Sequence, residues 1–213
     1  MIFRDRRDAG KKLAQALHHF TKKPHTLIFA LPRGGVPVAF EVAKALQLPL
    51  DIFLVRKLGV PDEEELAMGA IGMGGVLILN QDIIDHLRLS SETIERVKAK
   101  ETRILEERNQ RYREGRPLPD VSDKTVILID DGIATGATMR VAIVAIKQLG
   151  CAHLIVAVPV APAATVGEIT NEADAVFALQ QPDPFYAIGN WYQDFSQTSD
   201  EEMRFLLQEA RDL

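Results

Sequence analysis

Cysteine is nearly absent from this chain of 213 residues: Cys151 is its only one. An internal disulfide is therefore excluded, and the apolar run beside Cys151 predicts a buried thiol without a chemical role. Long apolar runs are missing as well: none approaches the roughly eighteen residues that span a bilayer, and the N-terminus lacks a signal-peptide core. We expect a cytoplasmic protein that makes no membrane contact.

Positive charge is scarce too, since the net charge is −5 and the isoelectric point is near 5.6. This balance argues against a general nucleic-acid or membrane-surface binder, so basic residues must act locally. Metal-ligand spacing is absent from the five histidines. We interpret them as surface or packing residues, with His19 or His25 as a remote metal-ligand alternative.

Hydrophobic residues, by contrast, make up 46% of the chain, enough to bury a sizeable core, and nothing separates the sequence into two halves. Apolar runs alternate with amphipathic ones, which predicts one α/β domain over 1–213: a central parallel sheet flanked by helices. Strands are predicted at 26–31, 51–56, 76–79, 125–129, 154–158 and 175–179. Helices are predicted at 6–20, 36–46, 91–113, 139–149, 162–173 and 200–210. Ligands of such sheets bind at the carboxyl ends of the strands.

The most informative stretch is 126–138, an apolar strand that runs into two acidic residues and a turn of small residues. A helix-like run follows at once, so the backbone N–H groups at its start, Gly136 and two threonine hydroxyls favour an anion such as phosphate. Asp130 and Asp131 would repel that phosphate. We interpret them as facing sugar hydroxyls or a hydrated divalent cation on the same ligand.

No Gly-Lys-Ser/Thr follows this turn, which excludes a Walker phosphate loop. The ordered set of strand, two acids and Thr-Gly-x-Thr instead resembles the phosphoribosyl pyrophosphate motif of the type I phosphoribosyltransferases. The resemblance covers most of 26–160 and implies their Rossmann-like fold, with a core at about 26–180 and a small hood at about 181–213. It implies that Asp130 and Asp131 are catalytic, orienting the ribose hydroxyls and a Mg²⁺ cofactor bound through water. It also implies a set of substrate-binding residues in the turn: Gly132, Ala134, Thr135, Gly136, Ala137 and Thr138.

A second glycine-rich turn, at 31–35, follows the first predicted strand. From its residues alone, an Arg-Gly-Gly turn is more often just a tight connection. Its place after a strand resembles the pyrophosphate loop of bacterial xanthine-guanine phosphoribosyltransferases, which implies that Pro32, Gly34 and Gly35 bind the donor. Arg33 would then fork onto the pyrophosphate and act in catalysis.

The second predicted strand leads into Arg56 and Lys57, in a string that resembles the Val-Arg-Lys-x-Gly-x-x-Pro region of adenine phosphoribosyltransferases, with Pro61 one residue early. The resemblance implies that Arg56 binds substrate and that Lys57 stabilises the leaving pyrophosphate. The next segment, 59–75, holds five of the fourteen glycines. Two interpretations stay open for it: a lid that excludes water from the ligand, or an acidic turn and a hairpin bending at its Gly-Gly pair.

Two features concern the acceptor. Ala134 stands where 6-oxopurine enzymes carry an aspartate, so the resemblance favours an amino-substituted or non-oxopurine acceptor. Five of the thirteen aromatics lie at 181–195, in an order that resembles the hood of hypoxanthine-guanine phosphoribosyltransferases. Trp191 and Tyr192 are therefore candidates to stack on a base. The alternative, equally open, is that these rings only pin the C-terminal helix onto the domain.

Helix 91–113 is strongly charged, but acidic residues are interspersed among its arginines. Pairs such as Glu107 with Arg111 predict an ordinary solvated helix rather than an RNA-binding stripe, and a homodimer contact is a further option. We expect a phosphoribosyltransferase that moves the 5-phosphoribosyl group of phosphoribosyl pyrophosphate to a nucleobase or similar nitrogen acceptor. The competing hypothesis is a regulatory protein that senses this donor without transferring it.

Overall fold

The computed structural model describes residues 2–212, except for the side chains at positions 64, 65 and 212. Seven α-helices and eight strands are found within this described part. The helices are α1 Arg6–Ala16, α2 Gly35–Leu46, α3 Gln81–His86, α4 Ser91–Arg113, α5 Ala137–Gln148, α6 Ala163–Thr170 and α7 Asp200–Glu209. The strands are β1 Thr26–Ala30, β2 Leu50–Ile52, β3 Val55–Val60, β4 Glu63–Gly72, β5 Val76–Leu79, β6 Thr125–Ile129, β7 His153–Val160 and β8 Ala175–Gln180.

Five strands form the predicted parallel sheet, in the order β2-β1-β6-β7-β8. All five residues of β1 and seven of the eight in β7 are buried, as expected where helices cover both faces of a sheet. The register pairs Ala30 at the end of β1 with Ile129 at the end of β6. The chain winds away from β1 in one direction to β2 and in the other to β6, so a crevice is expected between the carboxyl ends of β1 and β6.

The strand predicted at 51–56 is in fact two strands in two sheets. Phe53 and Leu54, both buried, carry the chain from β2 in the parallel sheet to β3, which pairs with β4 and β5 in a separate antiparallel sheet. Segment 59–75 therefore lies mostly in strands, and its β4–β5 connection bends at Gly74 and Gly75, with φ of 77° and 78°. This agrees with the interpretation of the segment as a hairpin that bends at its Gly-Gly pair. Whether the hairpin also closes over a ligand stays a prediction.

The remaining boundaries differ from the predictions by a few residues. The largest change is in the first helix, since α1 ends at Ala16 and a separate 3-10 turn, His18–Phe20, follows it. Helix α3 was not predicted. Within residues 2–212, no helix is both long and apolar enough to cross a bilayer.

The two terminal segments pack against each other beside the carboxyl edge of the sheet. The Phe3 N–H donates to the Trp191 carbonyl, and the Gln193 N–H donates to the Phe3 carbonyl, each at 2.8 Å. Buried Phe3 and Tyr192 share a small apolar cluster with Val160. Residues from the start of the chain thereby contact the segment predicted as the hood.

A buried ion pair joins α4 to the parallel sheet. Arg113 is fully buried at the end of α4, and its guanidinium donates to both carboxylate oxygens of Asp51 in β2, each at 2.7 Å. Its other N–H groups reach Asn109 and the carbonyls of Arg116 and Pro117. All of this charge is compensated within the protein, so the pair is expected to be structural.

Candidate active site

The two glycine-rich turns meet because they follow neighbouring strands, β1 and β6. The Leu31 N–H donates to the Ile129 carbonyl at 2.9 Å. A Cβ atom at Gly34 would lie 2.0 Å from Oδ2 of Asp131, and one at Gly35 would lie 2.8 Å from the Ile129 carbonyl oxygen. Only glycine therefore lets the 31–35 turn lie directly against the acidic pair.

The acidic pair is held by donors within the protein. Oδ1 of Asp130 accepts the Asp131 backbone N–H at 2.8 Å, and Oδ2 of Asp131 accepts from Nε of Arg6 at 2.7 Å. Burial, together with the charge of Asp131, raises the pKa of Asp130 well above its usual value. Burial also raises the pKa of Asp131, although the Arg6 guanidinium opposes this effect. Two carboxylates held in this way favour hydroxyl donors or a cation from a ligand.

Arg6 is a site residue that the motifs did not reveal. Besides Asp131, its guanidinium donates to the Ser196 carbonyl at 2.6 Å and lies 4.0 Å from the centroid of the Phe195 ring. It thus connects α1, the acidic pair and the C-terminal segment. One sequence signal was available: a cation in the first turn of a helix opposes the helix dipole, so it is expected to have a local anionic partner.

The turn before α5 has the geometry predicted for an anion site. Gly136 adopts a φ of 79°, and Thr135, Ala137 and Thr138 are exposed at the start of the helix. The Thr165 hydroxyl on α6 donates to the Ala134 carbonyl at 2.9 Å, which supports the turn from behind. Exposed backbone N–H groups at a helix N-terminus favour a phosphate.

Arg33 reaches across to the C-terminal helix. Its peptide bond with Pro32 is cis, and its Nη1 lies 3.3 Å from Oδ1 of Asp200, the first residue of α7. Asp200 also accepts from Arg111 and from the Tyr112 hydroxyl. Partial burial acts to raise the pKa of Asp200, but these three hydrogen bonds outweigh burial and lower it. Asp200 is a second residue that no local motif indicated.

The two cations of β3 have different surroundings. Arg56 donates to Oε2 of Glu101 on α4, with Nε at 2.8 Å. Lys57 is exposed and lines a cavity of about 540 Å³ together with Ala137 and Thr138. These two residues belong to the 134–138 turn, which we call the phosphate turn after its predicted ligand. The structure thus places Lys57 beside the phosphate turn, whereas Arg56 forms an ion pair within the protein.

Trp191 and Tyr192, the aromatic candidates of the hood, pack in or beside the small apolar cluster that contains Phe3. The Tyr192 ring is buried, with centroids 5.4 Å from Phe3 and 5.0 Å from Phe195, and its hydroxyl donates to the Asp131 carbonyl at 2.5 Å. Burial and the nearby Asp131 charge raise the pKa of this hydroxyl. Trp191 is half-buried beside the same cluster. Stacking of either ring on a base and pinning of the C-terminal helix both stay predictions; Tyr192 itself packs the segment before α7 against Phe3 and the Asp131 carbonyl.

Two adjacent carboxylates, Asp130 and Asp131, are the groups that a metal ion could use at this site. Among the side chains that the structure describes, no group of three His, Cys, Asp or Glu residues is arranged to hold a metal. Mg²⁺ is commonly bound by one or two carboxylates together with substrate phosphates and water. The acidic pair fits that mode of binding.

A turn of small residues at the start of α5, an acidic pair and a Gly-Gly turn, all at the carboxyl edge of a parallel sheet, define an α/β protein with a candidate ligand site at that edge. Residues 4–192 match the model of the phosphoribosyl transferase domain family. The chain belongs to this family.

Similar proteins agree with that assignment. A Mycobacterium tuberculosis protein named "putative phosphoribosyl transferase" is 44% identical over 209 residues, which are 98% of this chain and 47% of that protein. The chain thus spans about half the length of this curated relative. The crystal structure of TT1426 from Thermus thermophilus is 41% identical, has a TM-score of 0.85, and covers 98% of this chain and 99% of its own. The AQ2163 protein from Aquifex aeolicus, at 10% identity and a TM-score of 0.51, covers 95% of this chain and 85% of its own and shares the fold.

Proposed function

We propose that this protein binds phosphoribosyl pyrophosphate with Mg²⁺ and transfers the 5-phosphoribosyl group to a nucleobase or similar nitrogen acceptor. The supporting observation is that the Gly34-Gly35 turn lies directly against the acidic pair at the ends of β1 and β6, and that the 134–138 turn follows the acidic pair at the start of α5. Each of the three parts suits a different part of the donor: pyrophosphate, ribose hydroxyls and 5-phosphate, respectively.

In the proposed reaction, the lone pair of the acceptor nitrogen forms a bond to C1 of the ribose while the bond from C1 to the pyrophosphate oxygen breaks. The electron pair of the broken bond stays on the leaving pyrophosphate, which gains negative charge, and the proton that the acceptor nitrogen loses passes to solvent water. Arg33 and Lys57 would stabilise that charge, and Asp130 and Asp131 would orient the ribose. Mg²⁺, when bound, would neutralise part of the pyrophosphate charge.

One ion pair must rearrange for Arg33 to act. Its partner Asp200 is 3.3 Å away, and both side chains are about one-third exposed. Such pairs contribute only about 0–1 kcal/mol, so release of Arg33 costs little compared with a charged hydrogen bond to pyrophosphate. Ala134 supplies no carboxylate for proton transfer, which continues to favour a non-oxopurine acceptor.

Calorimetric titration with phosphoribosyl pyrophosphate and Mg²⁺ tests the binding part of this proposal. Asp130→Asn with Asp131→Asn should weaken binding at least tenfold, about 1.4 kcal/mol. Glu106→Gln with Glu107→Gln, on the exposed face of α4, removes the same charge and should leave binding unchanged. The proposal fails if neither the donor nor ribose 5-phosphate binds at millimolar concentration.

A turnover assay distinguishes the transferase hypothesis from the hypothesis of a regulatory protein that only senses the donor. Nucleobases and small amines would be screened for pyrophosphate release in the presence of donor and Mg²⁺. Release with one acceptor, abolished in the Asp130→Asn and Asp131→Asn double variant, supports transfer. Tight donor binding without release by any acceptor would favour the regulatory alternative.

A further inference from the structure

A second cavity, of about 870 Å³, lies at the edge of the parallel sheet opposite the candidate active site. It is formed where β1, β2 and β6 begin, and residues 22–27, 47–51 and 124 contribute to its wall. Its volume falls within the range of roughly 300–1,000 Å³ that is usual for small-molecule sites. No part of the function proposed above uses this cavity.

The lining of this cavity is strongly basic on a protein whose net charge is −5. It contains one histidine, His25, and five lysine or arginine residues: Lys22, Lys23, Arg116, Lys124 and Arg211. One carboxylate, Asp51, also lines it, but both oxygens of Asp51 accept from buried Arg113 at 2.7 Å. The cavity therefore carries a local excess of positive charge.

Much of this charge has no carboxylate partner. Within the described residues, Lys22, Lys23 and Lys124 form no ion pair; Nζ of Lys124 donates to the Asp120 carbonyl at 2.7 Å, and the carboxylate that its charge affects, that of Asp120, is exposed. Arg211 has a weak contact of 3.4 Å with exposed Glu114. Like charges gathered in a concave site repel one another, and an anionic ligand relieves that repulsion.

Arg116 shows the same imbalance. Its Nε donates to the Arg113 carbonyl at 3.0 Å rather than to a carboxylate. Burial lowers the pKa of Arg116, and the neighbouring charges of Arg211 and Arg113 act in the same direction, against the opposing effects of Asp51 and Glu114. A partly buried guanidinium among other cations is a ready donor for a phosphate.

Apolar side chains form another part of the wall: Pro24 and Pro49 are exposed there and Leu50 is partly exposed. A ligand that fills the cavity would therefore have an anionic part against the cations and an apolar or flat part against these three side chains. We propose that this cavity is a second ligand site, which binds a small phosphate-rich anion of nucleotide size, such as a nucleoside polyphosphate. The proposal does not depend on transferase activity.

Calorimetric titration with ATP tests this site. Lys22→Glu with Lys124→Glu should remove one equivalent of ATP that the wild-type protein binds, or weaken it at least tenfold. Lys11→Glu with Lys44→Glu changes two exposed lysines elsewhere, gives the same net charge, and should bind ATP as the wild type does. Thermal unfolding of both variants confirms that they are folded.

Three results would overturn the proposal: wild-type protein that binds no ATP at millimolar concentration, equal weakening in the two variants, or unchanged binding in the Lys22→Glu and Lys124→Glu variant. Tripolyphosphate, which lacks the organic part, should bind this site at least threefold more weakly than ATP. Equal affinity would refute the nucleotide assignment. The Asp130→Asn and Asp131→Asn variant should keep this equivalent of ATP, so failure here is distinguishable from failure of the proposed transfer.

Discussion

Gly34→Ala is the most direct test of how the two turns fit together. The added Cβ would lie 2.0 Å from Oδ2 of Asp131, whereas ordinary contact begins near 3.4 Å, so the oxygen must retreat by about 1.4 Å. That movement breaks its 2.7 Å hydrogen bond from Arg6. A hydrogen bond to a charged group contributes about 1.5–3 kcal/mol, and loss of glycine entropy in the unfolded chain offsets about 0.4–1 kcal/mol, so a net destabilisation of about 1–2 kcal/mol is expected.

Denaturant unfolding measures this change, and Gly167→Ala provides the matched control. Gly167 lies in α6, where a Cβ atom would have no neighbouring atom within 4 Å, so alanine there should stabilise the protein by about 0.5–1 kcal/mol. Backbone strain is not the cause at Gly34, whose φ of −60° suits alanine.

A double-mutant cycle with Asp131→Ala isolates the contact. Once the carboxylate is gone, the atom nearest to a Cβ at position 34 is Nε of the flexible Arg6 side chain, at 3.2 Å, so Gly34→Ala should then cost much less. The coupling free energy should be at least about 1 kcal/mol. Additive effects, or a Gly34→Ala variant as stable as the Gly167→Ala variant, would refute the proposed apposition of the two turns.

Three further outcomes are expected. Because the pKa of Asp130 is raised in the folded state, the free energy of unfolding falls as the pH rises from the usual Asp value toward the raised value. Asp130→Asn removes this loss and should therefore unfold at a higher temperature than the wild type at pH 7. In a pH series of melting curves, the gain should vanish below about pH 4. Arg113→Met leaves the Asp51 carboxylate buried without its partner, and should lower the free energy of unfolding by about 3–5 kcal/mol, an expectation that a change under about 1 kcal/mol would contradict. If segment 59–75 closes over bound donor, protease cleavage within it, for example near Pro61, should slow when phosphoribosyl pyrophosphate and Mg²⁺ are added; equal cleavage rates would show that the segment is no lid.

The parallel sheet could be predicted from sequence because its strands are short continuous apolar runs. The antiparallel sheet was predicted only in part: the strand at 76–79 and the bend at the Gly-Gly pair correspond to β5 and its connection to β4, but β4 itself was missed because it begins with charged residues and contains two glycines, Gly69 and Gly72. The junction between β2 and β3 was missed for another reason. Phe53 and Leu54 continue the apolar run, so nothing local shows that the chain leaves one sheet for the other.

The candidate site divides in the same way. The motifs predicted that the acidic pair and the glycine turns follow strands, and they do follow β6 and β1; this was possible because each motif lies within a few consecutive residues. Arg6 and Asp200 were missed, since Arg6 reaches Asp131 across 125 positions and Asp200 reaches Arg33 across 167. Contacts at such sequence separation depend on the tertiary fold, and no periodicity or motif in one sequence encodes them.

The contacts of Arg6 also constrain how this site can evolve. Its guanidinium is shared by Asp131, the Phe195 ring and the Ser196 carbonyl, so a substitution at position 6 changes the surroundings of the acidic pair and of the C-terminal segment at once. Positions 6, 34, 131 and 195 should consequently covary among related sequences. A lineage that remodels its C-terminal segment to accept a different ligand would have to change the first helix as well.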